Sequence, residues 1–188
     1  IIPYNFAYGF LFCRTHVKIK TERLFLRPLV VVDADEVFGW VSDERVSRYM
    51  VYTTYTNIEE VKEWLTFVEK DKSTYNFGFE RLLDGKLIGS GDIGLDRGFK
   101  SKDEYWGFGY NFRYDCWGNG YATEAAIAMI EYARKNFVVT HFVASHAEPN
   151  LAFGKVIEKC GLKFVKYGEW KKLDGSCKMK PMIYETEF

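Results

Sequence analysis

The chain has 188 residues, 47% apolar and 28% charged, which is enough for one compact domain with a sizeable core and excludes a disordered composition. Its 26 basic and 26 acidic side chains cancel, which argues against a surface built throughout for nucleic acid or anionic lipid, and 18% aromatics suit a sheet-rich core with a lined cleft. Four cysteines without a CxxC pair read as reduced thiols in a cytosolic compartment, and no apolar run reaches the roughly 18 residues of a membrane span.

Residues 1–18 precede the first regular pattern. They are apolar but interrupted by Pro3 and Asn5 with no basic residue ahead, a poor secretory leader, and are read as an N-terminal extension outside the functional argument. Leu24, Leu26 and Leu29 alternate around Arg27 and stop at Pro28, as a short strand must. Asp33 with Glu36, and Asn57 with Glu60, carry the helix-start signature. Val37, Trp40 and Val41 follow the first at helical spacing, and Val61, Trp64, Leu65 and Val68 follow the second.

The period then changes to two. Tyr75, Phe77 and Phe79 alternate with polar or small residues, Asp84-Gly85 makes a hairpin turn, and residues 86–96 return as the partner strand. A loop with Gly98 leads to a third, aromatic strand over residues 104–112, where Gly107 and Gly109 would accommodate a bulge. Ala122, Ala125, Ala126, Met129, Ile130 and Ala133 restore the helical period as one apolar stripe. Residues 141–145 read as a strand, and Pro149-Asn150 opens a helix with Phe153, Val156, Ile157 and Cys160 inward and Gly161 past its end. Two strands follow, residues 163–170 and 178–188, joined by a turn at Asp174-Gly175. There is no repeat and no linker, so residues 19–188 form one domain.

The segment Cys116-Trp117-Gly118-Asn119-Gly120-Tyr121-Ala122-Thr123-Glu124-Ala125 joins a strand to the strongest helix through two glycines. Glycines free backbone N–H groups to face outward and a helix N-terminus adds about half a positive charge, an anion site suited to a pyrophosphate. A plain tight turn without ligand is the competing reading. A Walker A loop is excluded because no Gly-Lys-Ser/Thr follows, and a dinucleotide fingerprint because the turn succeeds an antiparallel meander.

Three segments in order resemble the GNAT acetyltransferase superfamily, in the branch similar to the N-terminal acetyltransferases of ribosomal proteins. They are Thr21-Glu22-Arg23-Leu24-Phe25-Leu26-Arg27-Pro28, the turn from Trp117 to Ala125, and Asn150 followed by Val156-Ile157-Glu158-Lys159-Cys160-Gly161-Leu162-Lys163-Phe164. The resemblance spans residues 19–188. It implies an α+β fold, layered α/β/α, whose mixed and mostly antiparallel central sheet splays between its fourth and fifth strands. It further implies acetyl-coenzyme A as co-substrate with no metal, a primary amine as acceptor (a peptide N-terminus or a small molecule), and a monomer or homodimer.

Carried onto this sequence, the resemblance puts the pantetheine arm along Tyr110, Asn111 and Phe112, and the pyrophosphate on Trp117, Gly118, Asn119, Gly120, Tyr121, Ala122 and Thr123. Asn150 matches the family's cofactor-contacting asparagine before the last helix, and Lys155 stands near the nucleotide phosphates where the branch commonly has arginine, although Asn150 also suits an N-cap and Lys155 a solvated position. Trp117 reads better as packing. Tyr49, Tyr52 and Tyr55 fall on the acceptor side, where they could hold an amine by cation–π contact or merely pack beneath a loop. Cys116 as an acyl carrier, and His141 or His146 as catalysts, are the weaker readings against structural ones. Lys171, Lys172, Lys178 and Lys180 read as a solvated edge.

The sequence departs from the branch twice. Gly107 stands where many members have a glutamate base, and Phe153, expected in the core, stands where many have a serine to protonate the leaving sulfur. Asp92 and Glu104, on adjacent strands, are the replacement candidates for the base, each against the alternative of a solvated carboxylate at a strand end. A non-catalytic acyl-coenzyme A binding module of the same fold remains the alternative. A nucleotide-binding regulator fits the neutral charge and fold context less well.

Overall fold

The computed structural model describes residues 17–71, 73–96, 105–137 and 139–187. Its strands are β1 Ile19–Lys20, β2 Leu24–Pro28, β3 Thr74–Arg81, β4 Leu87–Leu95, β5 Trp106–Phe112, β6 His141–Ala147, β7 Lys163–Tyr167, β8 Trp170–Lys171, β9 Lys178–Met179 and β10 Pro181–Glu187. The α-helices are α1 Ala34–Val41, α2 Glu44–Ser47, α3 Ile58–Lys70, α4 Tyr121–Phe137 and α5 Leu151–Lys159. Eight strands form one sheet in the order β1-β2-β3-β4-β5-β6-β10-β7, antiparallel at every step except β5–β6. With the two-residue β1 counted, the splayed pair expected from the sequence is β5 and β6. Among the described residues no helix is long and apolar enough to cross a membrane.

Strand alternation divides the core between the two faces of the sheet. Leu24, Leu26, Phe77, Phe79, Ile88, Ile93, Phe108 and Phe112 pack against the alanine-rich face of α4, where Ala125, Ala126, Met129 and Ala133 let the helix lie close. Leu29 and Leu87 meet Val37, Trp40, Val61 and Leu65 of α1 and α3 in the other cluster. Neighbouring residues such as Leu87 and Ile88 therefore serve opposite cores.

Several local expectations are corrected. Asp33 does not cap α1 with its side chain. Its buried carboxylate takes a two-pronged contact from Arg27 (2.9 Å to each oxygen) and accepts the Val30 N–H, while Glu36 accepts the N–H of Leu87. A tertiary ion pair outcompetes the local cap. Asn57 does cap α3, accepting from the Glu59 N–H. Gly107 and Gly109 host no bulge, for β4 and β5 pair without interruption from Gly89–Phe112 to Leu95–Trp106. The irregularities fall at Phe79/Glu80 and Ile183/Tyr184 instead.

The two C-terminal strands are in fact four. β10 lies between β6 and β7, and the short ribbon β8–β9 leaves the sheet. The tip of that ribbon docks on the loop after α2: Leu173 N–H donates to Val51 C=O (2.9 Å), and Lys172 Nζ reaches Ser47 C=O and Tyr52 C=O (3.2 Å each). Lys172 is therefore no solvated edge residue, and Lys180 stacks its ammonium over Tyr167 at 3.8 Å.

Candidate functional site

β5 and β6 pair only at Trp106–Phe142 and Gly107–Val143. Beyond Gly107 the strands diverge, and the β5 edge from Phe108 to Phe112 faces a gap rather than a neighbour. A cavity of about 390 Å³ occupies that gap, lined on one wall by Phe108, Gly109, Tyr110 and Asn111 and on the other by Ser145, His146, Ala147, Asn150 and Phe153. Unpaired strand edge beside a cleft offers backbone N–H and C=O groups to an extended ligand.

The chain leaves β5 through the turn 117–120, which opens α4. Gly118 and Gly120 hold φ at +77° and +81°, a conformation glycine adopts without strain and one that turns successive N–H groups the same way. Space in front of Gly118 is open: a Cβ built there meets nothing within 4 Å. The first turn of α4 adds N–H groups that have no intrahelical partner. The glycine turn and helix start, including the backbone of Tyr121, Ala122 and Thr123, thus present N–H donors of the kind that suit an anion.

The side chains of the turn are occupied in building it. Trp117 gives its indole N–H to Phe112 C=O (2.9 Å) and packs on Tyr114, so it anchors the loop. Asn119 Nδ2 donates to Cys116 C=O and Trp117 C=O. Arg23 donates to Asn119 C=O (2.8 Å) and to the Glu124 carboxylate, which also accepts from Thr21 Oγ1 (2.6 Å) and the Arg23 N–H. Although burial opposes it, these bonds hold the Glu124 carboxyl below its ordinary value. Thr21, Arg23 and Glu124 thus tie the turn to β2, a role the sequence did not disclose.

On the α1–α3 side the same gap opens into a chamber. Register places Asn76, Asp92 and Gly109 in one row, and Ser90 and Asn111 in the next, all on the face opposite Phe77, Ile93 and Phe108. Ser90 Oγ donates to Asn111 Oδ1 (2.9 Å) and Asn111 Nδ2 donates to Tyr52 Oη (3.4 Å). Tyr49, Tyr52, Tyr55 and Trp64 line the chamber above this polar floor, so the three predicted tyrosines do converge. Burial pushes the Tyr52, Tyr55 and Tyr110 phenols up, keeping them neutral.

Asp92 projects into the chamber with no hydrogen-bond donor among the described residues. Burial, reinforced by the Asp71 carboxylate, pushes its pKa up to about 6. A carboxylate poised there is ionised at neutral pH yet basic enough to take a proton. Glu104, the other candidate base, lies outside the described residues.

Phe153 is not enclosed in the core as expected. It is half-buried, and its ring stacks on Tyr110 (4.4 Å, 4°) where the two walls of the cleft approach. Asn150 caps α5 and also lines the cavity. Lys155 is exposed on α5 and does not line the cavity. His146 is buried, gives Nδ1–H to Ala147 C=O and sits 3.3 Å from Tyr184 Oη through Nε2. Burial raises the Cys116 thiol, which opposes a role as nucleophile. Asn76, Ser90 and Trp64 were missed as site residues; their signal is polar or large side chains on strand and helix faces that only the register brings together.

The family model for the acetyltransferase (GNAT) domain matches residues 23–163. Among curated proteins, the chain is 29% identical over 154 residues to the uncharacterized N-acetyltransferase YnaD of Bacillus subtilis, covering 82% of this chain and 86% of that one. Among solved structures, a GNAT-family acetyltransferase from Bacillus anthracis superposes with a TM-score of 0.76 at 24% identity, covering 91% and 98%. The ribosomal L7/L12 α-N-protein acetyltransferase RimL, solved with coenzyme A, gives 0.77 at 13% identity over 92% and 98%. At these identities the structural likenesses establish the fold.

Proposed function

The chain belongs to the GNAT acetyltransferase family, and on that premise we propose that it transfers an acetyl group from acetyl-coenzyme A to a primary amine. The observation that carries the reading is a pairing of two features: a glycine turn before α4 with φ of +77° and +81°, and an unpaired β5 edge lining a chamber in which Asp92 has no hydrogen-bond donor among the described residues. The pyrophosphate belongs on residues 117–123, the pantetheine arm along Tyr110, Asn111 and Phe112 with Asn150 on the facing wall, and the amine beside Asp92, with Lys155 toward the nucleotide phosphates.

In this reading Asp92 accepts a proton from the bound ammonium, and the free amine attacks the thioester carbonyl. A backbone N–H of β5 stabilises the oxyanion. The C–N bond forms, the C–S bond breaks, and the nitrogen's second proton goes to the departing sulfur. Phe153 offers no hydroxyl for that last step. Gly107 and Phe153 favour one alternative, an acyl-coenzyme A binding module that does not turn over. Thermal melting with acetyl-coenzyme A and free-thiol release across amines separate the two. A melting shift without thiol release would establish the module, and no shift at millimolar acetyl-coenzyme A would overturn both.

A further inference from the structure

We infer that the acceptor is a small-molecule primary amine bearing one positive charge on a neutral apolar or aromatic body, an inference that rests on the acetyl-transfer reading above. Charge is the first reason. Among the described residues lining the cavity Asp92 is the one carboxylate, and no lysine or arginine joins it. One carboxylate neutralises one ammonium. A second or third ammonium on the same molecule would be desolvated against neutral tyrosines and aliphatic side chains with no second carboxylate among the described lining residues to pair it.

The walls give the second reason. Tyr52 and Tyr55 meet at 5.6 Å with their rings tilted 55°, Trp64 lies alongside, and Val51 and Leu173 form an apolar rim. Such a surface contributes by burying hydrocarbon or stacking on a ring, and its π faces favour a single cation passing over them to Asp92.

The third reason concerns backbone. An extended peptide would need free main-chain groups along the chamber mouth. The carbonyls of Ser47, Val51 and Tyr52 there already accept from Lys172 Nζ and Leu173 N–H. The docked β8–β9 tip therefore occupies main-chain acceptors that a peptide at the mouth would use.

The test uses the full chain with 2-phenylethylamine, spermidine and a tetra-alanine peptide, each followed by calorimetric binding in the presence of coenzyme A and by thiol release with acetyl-coenzyme A. Phenylethylamine should bind, and exceed the other two in kcat/KM by on the order of 100-fold. Trp64→Ala should raise its KM about tenfold with unchanged coenzyme A affinity. Leu173 is 82% exposed, so Leu173→Glu leaves the core untouched, and by adding a second carboxylate at the rim it should narrow the gap between phenylethylamine and spermidine. Spermidine or peptide turned over as well as phenylethylamine would overturn the inference while sustaining acetyl transfer. Phenylethylamine bound at Asp92, lost in Asp92→Asn, without thiol release would sustain the acceptor class and sink the transfer reading. Absence of binding by phenylethylamine would overturn the inference.

Discussion

Asp92 and Gly109 lie directly opposite one another on β4 and β5, and a Cβ at Gly109 would come within 3.2 Å of Asp92 Oδ1. The missing side chain leaves the carboxylate facing the chamber without steric cover. This placement costs stability. Between the unfolded carboxyl value near 3.9 and the folded value of about 6, the folded chain keeps a proton that the unfolded chain has released. Stability attributable to this group is therefore full below about pH 4, falls as the pH rises through 6, and stays low above it. Asp92→Asn should stabilise the protein by on the order of 2–3 kcal/mol at pH 7.5 and by little at pH 4. Denaturant melts of both proteins at the two pH values check this; an Asn variant less stable at pH 7.5 would show that the carboxylate is satisfied in the fold.

The glycine turn makes the second prediction. Acetyl-coenzyme A should stabilise the chain by about 2.7 kcal/mol at a hundredfold excess over its Kd. Gly120→Val places a β-branched residue at φ +81° with its Cβ 3.4 Å from Arg23 Nη2, which strains the turn that presents the N–H groups, so the ligand-induced gain should vanish. Melting with and without ligand reads the two effects separately.

A third prediction tests the tie between turn and sheet. Glu124→Ala removes the acceptor for Thr21 Oγ1, the Arg23 N–H and Arg23 Nε together. It should lower stability by about 1–3 kcal/mol without ligand and weaken coenzyme A binding besides. If Glu124→Ala lost stability but bound coenzyme A unchanged, the tie would be structural only.

Lys172 yields a fourth. Lys172→Met keeps the aliphatic stem but breaks both bonds to the loop carrying Tyr52. The KM for the amine should rise on the order of tenfold, with coenzyme A affinity and folding unchanged. Equal effects on both substrates would mean that the ribbon supports the whole cleft.

Elements whose signal is local were readable in the sequence. Asp84-Gly85 turns with Gly85 at φ +67°, the alanine stripe of α4 is buried, and Gly161 ends α5 at φ +90° as its position past Cys160 implied. What escaped was set by side-chain partners that no helix or strand period names. Asp33 looked like a cap because only its neighbours were visible, and Arg27 across the turn decided otherwise. Lys172 looked solvated because its acceptors lie 120 and 125 residues away. The tyrosines could be grouped from composition, but the floor of Asn76, Ser90 and Asn111 depends on strand register, which the glycine-rich β4 and β5 did not announce. Phe153 fitted the apolar stripe of α5, and nothing along the chain tells a core residue from one stacked at a cleft.

The last prediction follows the proton. If Asp92 is the base, kcat/KM should fall on the acid side with a midpoint near 6, because only the ionised carboxylate can take the ammonium's proton. Above that pH the rate should plateau until the acceptor amine itself titrates. Asp92→Asn keeps the shape of the side chain but cannot accept a proton, so kcat should drop by roughly 10²–10⁴ and the acid limb should disappear, with coenzyme A affinity intact. Comparison with Glu104→Gln assigns the limb. Loss of it in that variant and not in Asp92→Asn would move the base to the other carboxylate. Full activity in both would mean that water alone carries the proton and that neither carboxylate is the base.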